Sequence, residues 1–226
     1  MVKDSIFNGR RVDCFHLDQS IFELSFDNKD ASINKFDELT LEELSTVINE
    51  IKQKQAKGLV VTSTKDSFIM GADITEFLGL FKSGRDKIIQ WLSFTHDIFK
   101  EIEALPFPSV VAIEGFCLGG GFELALSCDY RILSTKAKVG LPETKLGILP
   151  GWGGCVRFPR IVGADNAIEW IAAGSVHNSD AAFNIRAADA VVSSENLRSK
   201  ALDLIEAASA NTSDWKTRRE EKTSPL

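Results

Sequence analysis

Residues 110–154 constrain the fold of this chain more than any other stretch. They read VVAIEGFCLGGGFELALSCDYRILSTKAKVGLPETKLGILPGWGG, in which one short apolar run precedes three consecutive glycines and a second apolar run follows them. Short apolar runs of this kind are typical of buried parallel strands, and glycines let a backbone approach a ligand closely. The stretch therefore predicts strands of a parallel sheet with a helix between them, and a ligand site at the glycines.

Strand-like and helix-like segments alternate along the rest of the chain. Val12–Leu17 and Ile21–Phe26, separated by Asp18-Gln19-Ser20, predict a hairpin, while Gly58–Ser63 and residues 110–113 and 130–133 predict buried parallel strands. Helices are predicted over residues 41–54, 74–81, 86–105 and 195–210, and after Gly121, Trp152 and Ala164. Thr40 and Glu43 have the spacing of a capping box. This alternation defines the α/β class with a mostly parallel sheet.

The composition is that of a soluble globular protein. The 226 residues suffice to bury a core, and the hydrophobic and charged fractions are 44% and 26%. A net charge of −6 argues against a nucleic-acid partner. The N-terminus has no apolar signal region, and no apolar run reaches the roughly 18 residues of a membrane span. We therefore expect a cytoplasmic protein without an integral membrane segment.

Residue types that bind metals show no ligand pattern. The cysteines form no Cys-x-x-Cys pair, and the histidines are scattered, at Cys14, Cys117, Cys128, Cys155, His16, His96 and His177. We expect buried free thiols in a reducing compartment, structural histidines and no bound metal. A Gly-x-Ser-x-Gly elbow is also absent, which gives serine hydrolysis little support.

The glycine triplet 119–121 is a candidate oxyanion hole. A helix N-terminus offers free N–H donors, and glycines let an anionic oxygen reach them. A phosphate loop is an alternative, but G-x-x-x-x-G-K-[ST] and G-x-G-x-x-G are absent here; tight helix–sheet packing is another. A second inward N–H can come from the loop around Gly71, which follows the Gly58–Ser63 strand and can equally be a turn glycine.

Two glutamates lie close to these glycines. Glu123 follows the triplet on the first helical turn, and Glu143 lies in a Leu-Pro-Glu turn, each among apolar neighbours. Two carboxyls brought onto one small substrate can share acid and base work, although each alone can be an ordinary structural glutamate. For Glu114 we favour a structural role. Asp73 is expected to cap the following helix, with ligand contact as the alternative.

At these residues the chain resembles the enoyl-CoA hydratase/isomerase (crotonase) superfamily. The matching motifs are FIMGADITEF at 68–77, AIEGFCLGGGFELALSCDYRI at 112–132 and VGLPETKLGILPGWGG at 139–154, in the family's order. The resemblance covers about residues 20 to 190. Within the superfamily it is strongest to the N-terminal hydratase part of the bacterial fatty-acid oxidation complex alpha subunits.

The resemblance implies a spiral of ββα turns and an acyl-CoA thioester as substrate. Its thioester carbonyl would be held by the N–H groups of Ala72 and Gly120, with Glu123 activating water and Glu143 exchanging the proton at the α-carbon. A 2-enoyl thioester would become a 3-hydroxyacyl thioester, and Glu143 would also support Δ3-Δ2 double-bond isomerisation. Coenzyme A is part of the substrate, and no separate cofactor is implied. Further substrate contacts are carried over to Gly71, Asp73, Ile74, Gly119, Pro142 and Gly151.

The resemblance also implies an organisation around the chain. Residues 1–192 would form the crotonase-like core, and 193–226 a helical and charged tail leading toward an absent C-terminal region. Helices that close the site in the family would be truncated, and full-length relatives would form oligomers or a thiolase-containing complex. Residues 185–189 replace a glycine usual in the family, which predicts a difference in local packing.

Two other functional hypotheses remain open from the sequence. Another crotonase-type reaction, such as thioester hydrolysis or decarboxylation, is disfavoured because both glutamates are present. A non-catalytic fragment that assembles with partner subunits is favoured by the expected truncation and not by the motifs. Acyl-chain length preference cannot be predicted from the sequence.

Overall fold

A computed structural model describes residues 3–17, 20–210 and 215–223. Within these residues strands and helices alternate, as predicted. The strands are β1 (Lys3–Asn8), β2 (Val12–Leu17), β3 (Ile21–Phe26), β4 (Gly58–Ser63), β5 (Ser109–Ile113), β6 (Phe116–Leu118), β7 (Tyr130–Ser134), β8 (Lys138–Gly140), β9 (Val176–Asn178) and β10 (Ala190–Val192). The helices are α1 (Glu38–Ile51), α2 (Ile74–Lys82), α3 (Arg85–Glu103), α4 (Gly120–Ser127), α5 (Gly154–Val162), α6 (Ala164–Ala173), α7 (Ser179–Asn184), α8 (Leu197–Ser209) and α9 (Trp215–Thr223), with 3₁₀ helices at Pro142–Leu146 and Ser194–Asn196.

The main sheet of the described residues has the order β1-β2-β3-β4-β5-β7-β10. Its first three strands are antiparallel neighbours, and every pairing from β3 onward is parallel. The predicted hairpin is confirmed in its strands, while Asp18 and Gln19 of its turn lie outside the described residues. The strand β1 was not predicted from the sequence, because this edge strand is largely exposed and its residues do not alternate between apolar and polar.

Alternate residues of the central strands enter two separate cores. In β4, Leu59 and Val61 join the larger core, which includes residues of α1, α3, α4 and α5, while Val60 points to the opposite face. On that opposite face α8 covers the sheet with Ala201 and Ile205. Both faces are covered, which explains why β4 and β5 read as continuous apolar runs and not as an alternating pattern.

A small second sheet joins the glycine-rich loop to the rest of the fold. Its order is β6-β8-β9, with β6 parallel to β8 and β8 antiparallel to β9. Its strand β6 begins just after β5 and ends just before the N-terminus of α4, so the pairing of β6 with β8 sets where that helix starts. The chain is thus a parallel-rich α/β fold with helices on both faces of the sheet.

The capping box predicted at Thr40 and Glu43 is wrong. The N-cap of α1 is Asp37, whose carboxylate accepts a hydrogen bond from the Thr40 N–H at 2.7 Å. The Glu43 side chain instead accepts hydrogen bonds from three backbone N–H groups of the β1–β2 turn, those of Arg10, Arg11 and Val12. A glutamate at capping-box spacing was therefore used for a tertiary contact that no local pattern reveals.

One further expectation is corrected by the fold. Cys155 is exposed, whereas the other three cysteines are buried as expected. Within the tail, residues 215–223 form a helix that packs against the protein body through Trp215, Arg219 and Lys222. Among residues 185–189, Arg186 adopts φ 65°, a left-handed conformation that favours glycine.

No helix among the described residues combines the length and the apolar character that a membrane span requires.

Candidate active site

Two loops meet at the N-terminus of α4. Ile69 and Cys117 form a parallel bridge, and the Leu118 N–H donates to the Ile69 carbonyl at 3.0 Å. This pairing brings Gly71 against Gly119, and a Cβ added to Gly119 would lie 3.8 Å from the Gly71 Cα. Both glycines have positive φ, 86° and 52°, so the chain turns sharply at each of them. The convergence predicted from sequence is therefore present.

The glycines leave space for neighbouring groups that a side chain would displace. A Cβ on Gly120 would lie 2.3 Å from the Trp152 ring, and one on Gly121 would lie 2.7 Å from both the carbonyl oxygen and the Cβ of Ile69. A real Cβ atom essentially never approaches another atom this closely. Gly120 and Gly121 are thus required for α4 to pack against Trp152 and the Gly71 loop.

Glu123 lies in the first turn of α4 and is only 2% exposed. Its Oε1 accepts hydrogen bonds from the backbone N–H groups of Trp152 and Gly154, both at 2.8 Å. Burial, together with repulsion from Glu143, raises the pKa of Glu123 from 4.5 to about 8, against the opposing effect of these two donors. Glu123 is therefore a buried carboxyl that two backbone donors orient and whose pKa is raised close to neutral pH.

Glu143 is the second buried carboxyl of the site. It lies on the 3₁₀ helix Pro142–Leu146 and is 9% exposed, and its Oε2 has no hydrogen-bond partner among the described residues. A Cβ on Gly119 would lie 3.1 Å from its Oε1, which places this carboxyl against the glycine loop. Burial raises the pKa of Glu143 from 4.5 to about 7. A buried, unpartnered carboxyl oxygen at this pKa is suited to exchange a proton.

A single apolar cavity joins these groups. Its volume is about 290 Å³, and both glutamates line it together with Ala72 and Gly120. Five of the residues predicted to contact substrate line the same cavity, namely Gly71, Ile74, Gly119, Pro142 and Gly151. The structure therefore brings together almost the whole predicted site.

Asp73 is the exception among the predicted contacts. Its carboxylate caps α2 by accepting from the Thr75 N–H, and it also forms an ion pair with Lys35 at 2.8 Å. The Lys35 and Thr75 hydrogen bonds lower the pKa of Asp73 to about 2. The hydrogen bond from Thr75 confirms the expected helix cap. Asp73 is also not among the residues that line the cavity.

Other candidate residues lie in structural environments. Glu114 accepts a hydrogen bond from the Ser194 hydroxyl at 3.1 Å. His177 stacks on the Trp170 ring with 3.7 Å between centroids. No cluster of three or more His, Cys, Asp and Glu side chains suited to a metal ion occurs in the described part of the chain.

Sequence reasoning missed two parts of the site. The first is the pair of N–H donors to Glu123, which come from residues 29 and 31 positions further along the chain. The second is the apolar wall of the cavity, supplied mainly by α2 and α3 through Phe77, Leu80, Phe81, Ile88, Trp91 and Leu92. The sequence carried no signal for this wall, because an apolar helix face reads the same whether it covers a core or a ligand; the exposure of Ile74 and Phe81, 55% and 52%, is seen only in the structure.

The arrangement defines a class of site before any comparison is made. Two buried carboxyls with raised pKa values line an apolar cavity, and the N-terminus of α4 lines it too. Such N–H groups stabilise an oxygen that gains negative charge, and the carboxyls move protons at neighbouring atoms. Such an arrangement is suited to acid–base chemistry at a carbonyl compound.

Comparison with known proteins identifies the family. The sequence profile described as enoyl-CoA hydratase/isomerase matches residues 16–218, and the chain belongs to this family. It is 47% identical to the fatty acid oxidation complex subunit alpha of Acinetobacter baylyi and 46% identical to that of Idiomarina loihiensis, over 98% of this chain in both cases. The chain spans 31% of the length of these relatives.

A solved structure supports the same fold. An enoyl-CoA hydratase from Bacillus anthracis superposes with a TM-score of 0.82 at 29% sequence identity, covering 94% of this chain and 81% of that one. An enoyl-CoA hydratase/carnithine racemase from Magnetospirillum magneticum, at 21% identity and TM-score 0.84, shares the fold. The predicted crotonase-like architecture is thereby confirmed.

Proposed function

We propose that the chain hydrates 2-enoyl thioesters of coenzyme A to 3-hydroxyacyl thioesters. The observation that carries the proposal is the meeting of Glu123, Glu143 and the Gly120 helix terminus on one apolar cavity. The cavity accepts the acyl chain, and its polar groups lie together at one wall. Membership of the enoyl-CoA hydratase/isomerase family supports this reaction class.

The N–H groups of Ala72 and Gly120 would hold the thioester oxygen. Addition of water to the double bond places negative charge on that oxygen as the enolate forms. Both residues line the cavity, and the hydrogen bonds among described backbone groups engage neither of their N–H groups. Preorganised donors stabilise developing charge without reorganisation, and loss of one such donor slows catalysis by roughly 10²–10³-fold.

The glutamates would divide the proton transfers. Glu123 accepts a proton from the water whose oxygen bonds to C3, and Glu143 delivers a proton to C2, so that one water is added across the double bond. Because two nearby buried carboxyls titrate as a coupled pair, they share a proton at neutral pH and return it after each cycle. Raised pKa values of about 8 and about 7 support this sharing.

The same site is proposed to move a double bond from the 3 to the 2 position. Glu143 would remove a proton from C2 of a 3-enoyl thioester, and the proton would return at C4 from the carboxyl pair. The held enolate oxygen is common to both reactions, so no further group is required. Two features support Glu143 in this role. Its Oε2 has no hydrogen-bond partner among the described residues, and its carboxyl lies beside Gly119.

Hydration of crotonyl-CoA tests the proposal directly. Loss of the absorbance of the conjugated thioester is followed for the wild-type chain and for Glu123→Gln and Glu143→Gln. We expect turnover in the wild type and a loss of about 10²–10⁴-fold in each variant, the usual contribution of general acid–base catalysis. A folded wild-type chain without turnover, or variants with unchanged rates, would contradict the proposal.

The wider setting is proposed from the same relatives. Fatty-acid β-oxidation in the cytoplasm is the expected process, because the curated relatives are fatty acid oxidation complex alpha subunits. For the full-length protein we propose an oligomer or a complex that contains a thiolase. The site residues suggest no cofactor other than the coenzyme A of the substrate.

A further inference from the structure

The turn at residues 152–154 binds the Glu123 carboxylate, and the position of this turn depends in its own right on contacts with the rest of the protein. Its two N–H groups, from Trp152 and Gly154, fix one carboxylate oxygen of Glu123 at 2.8 Å each. At its centre Gly153 has φ 106°, a left-handed conformation. The turn therefore has a conformation that favours glycine at its centre, and its position decides where the Glu123 carboxylate points.

Arg157 binds the backbone of this turn. Its Nη1 donates to the Trp152 carbonyl at 3.0 Å, and a Cβ added to Gly153 would lie 2.0 Å from the same Nη1. The guanidinium group thus lies directly against the turn. A charged donor binds the carbonyl oxygen of the peptide between Trp152 and Gly153. Hydrogen bonds from a charged donor are stronger than those between neutral groups.

Arg157 is itself held by a buried ion pair. Its Nε and Nη2 donate to the two carboxylate oxygens of Glu103 at 2.8 and 2.7 Å, and the two side chains are 7% and 8% exposed. Glu103 ends α3, the helix that also supplies part of the apolar cavity wall. A bidentate pair fixes the plane of the guanidinium group, so its remaining donor has a defined direction.

A buried lysine from α9 completes the arrangement. Lys222 lies 3.7 Å from Glu103 and donates to the carbonyls of Ser127 and Cys128, at 2.7 and 2.9 Å. Those carbonyls end α4, the helix whose first turn carries Glu123. The cluster of Glu103, Arg157 and Lys222 therefore contacts both the turn that orients Glu123 and the far end of its helix.

We propose that Arg157 is a positioning residue for the reaction, acting through the Trp152–Gly154 turn on the carboxylate of Glu123. This inference rests on the proposed function. Arg157 is not among the residues that line the cavity, so it does not touch substrate. A merely structural ion pair would need only Glu103 and Arg157, whereas a positioning role also needs the third hydrogen bond to Trp152.

The test uses a double variant that removes both charges together. Arg157→Met leaves Glu103 buried without its arginine and risks misfolding, so Arg157→Met/Glu103→Leu is the informative variant. The control is Arg198→Met/Glu23→Leu, in which the glutamate is similarly buried, at 5% exposure, and the arginine is more exposed, at 37%. That pair has the same bidentate geometry, with distances of 2.8 and 3.0 Å, but joins α8 to β3, away from the cavity.

Two measurements are made on wild type, double variant and control. For the double variant we expect kcat for crotonyl-CoA hydration to fall at least tenfold with KM changed less than threefold, and amide hydrogen exchange at Trp152 and Gly154 to quicken at least tenfold. The control keeps wild-type values of both. A double variant that exchanges and turns over like the control would overturn the proposal.

The exchange measurement separates this proposal from the proposed function. If wild type does not hydrate crotonyl-CoA, the function fails, while faster exchange at Trp152 and Gly154 in the double variant still supports the positioning contact. Faster exchange with unchanged kcat would show that the contact exists but does not position a catalytic group, and would overturn the inference. Arg157→Lys keeps the positive charge but lacks the bidentate guanidinium group. We expect this variant to fold like wild type and to keep the lowered kcat of the double variant.

Discussion

Replacement of Glu123 by glutamine is predicted to stabilise the protein, and only at high pH. Burial and the neighbouring Glu143 raise the folded-state pKa of Glu123 to about 8, against 4.5 for an ordinary glutamate. The folded protein therefore binds this proton more tightly than the unfolded chain does. Its contribution is fully present below about pH 4.5 and is lost as the pH rises toward 8.

The magnitude follows from the distance between the two pKa values. The gap between about 8 and 4.5 corresponds to on the order of 5 kcal/mol, at about 1.4 kcal/mol for each pH unit. Glutamine cannot ionise, yet its amide oxygen can still accept from the Trp152 and Gly154 N–H groups. We therefore expect the stability advantage of Glu123→Gln over wild type to grow by about 4 kcal/mol between pH 5 and pH 9.

Urea unfolding followed by tryptophan fluorescence and circular dichroism measures this difference at both pH values. Glu206→Gln serves as the control, because it removes a negative charge from a half-exposed surface side chain paired with Lys57. The control should differ from wild type by less than about 1 kcal/mol at either pH, as exposed pairs contribute little. A pH-independent difference for Glu123→Gln would refute the reasoning, since it would mean that the charge of Glu123 is not buried.

Three further predictions concern packing and function. Gly120→Ala should lower kcat/KM for crotonyl-CoA by about 10²-fold, because its Cβ would lie 2.3 Å from the Trp152 ring and displace a candidate oxyanion donor; activity within threefold of wild type would contradict this. Arg186→Gly should raise the free energy of unfolding by about 0.5–1 kcal/mol, since φ 65° favours glycine, and a loss in urea unfolding would argue otherwise. Arg219→Met should lower the free energy of unfolding by about 3 kcal/mol in the same assay, because it leaves the buried carboxylate of Asp129 without its guanidinium partner; no change would show that this pair is dispensable.

Local patterns predicted β2, β3, β4, β5 and β7 and the longer helices, and they missed β1 and the three-residue strands β6, β8, β9 and β10. The strands β2, β3 and β4 have the predicted bounds, because each is an apolar run flanked by polar or turn residues. Helices were found from their 3.6-residue periodicity, with ends displaced by a few residues. The edge strand β1 was missed since its six residues are mostly exposed and carry no apolar pattern.

The candidate site was predictable where its groups are close in sequence. The glycine triplet and Glu123 lie within five residues, so their shared helix terminus was visible from the chain alone. The donors that orient Glu123 come from a separate turn, and the arginine behind that turn pairs with a glutamate 54 positions away. Such contacts depend on tertiary packing. A charged residue in a helical sequence pattern does not reveal which distant residue it will contact.

The apolar wall of the cavity escaped prediction for a related reason. Phe77 and Trp91 lie on amphipathic helices whose apolar faces look the same whether they cover a core or a ligand. In the structure their rings are 5.6 Å apart and both line the cavity. Only the exposure of neighbouring Phe81, at 52%, separates a ligand-facing surface from an ordinary core face.

Glu123 and Glu143 are proposed to act as one catalytic unit, and comparison of the single variants with the double variant tests this. kcat/KM for hydration of crotonyl-CoA is measured for Glu123→Gln, Glu143→Gln and the variant with both changes. Because groups that act together are strongly non-additive, we predict that the double variant is no more than about threefold slower than the slower single variant. Losses that multiply, or a single variant that keeps more than about a tenth of wild-type activity, would contradict the paired-carboxylate mechanism.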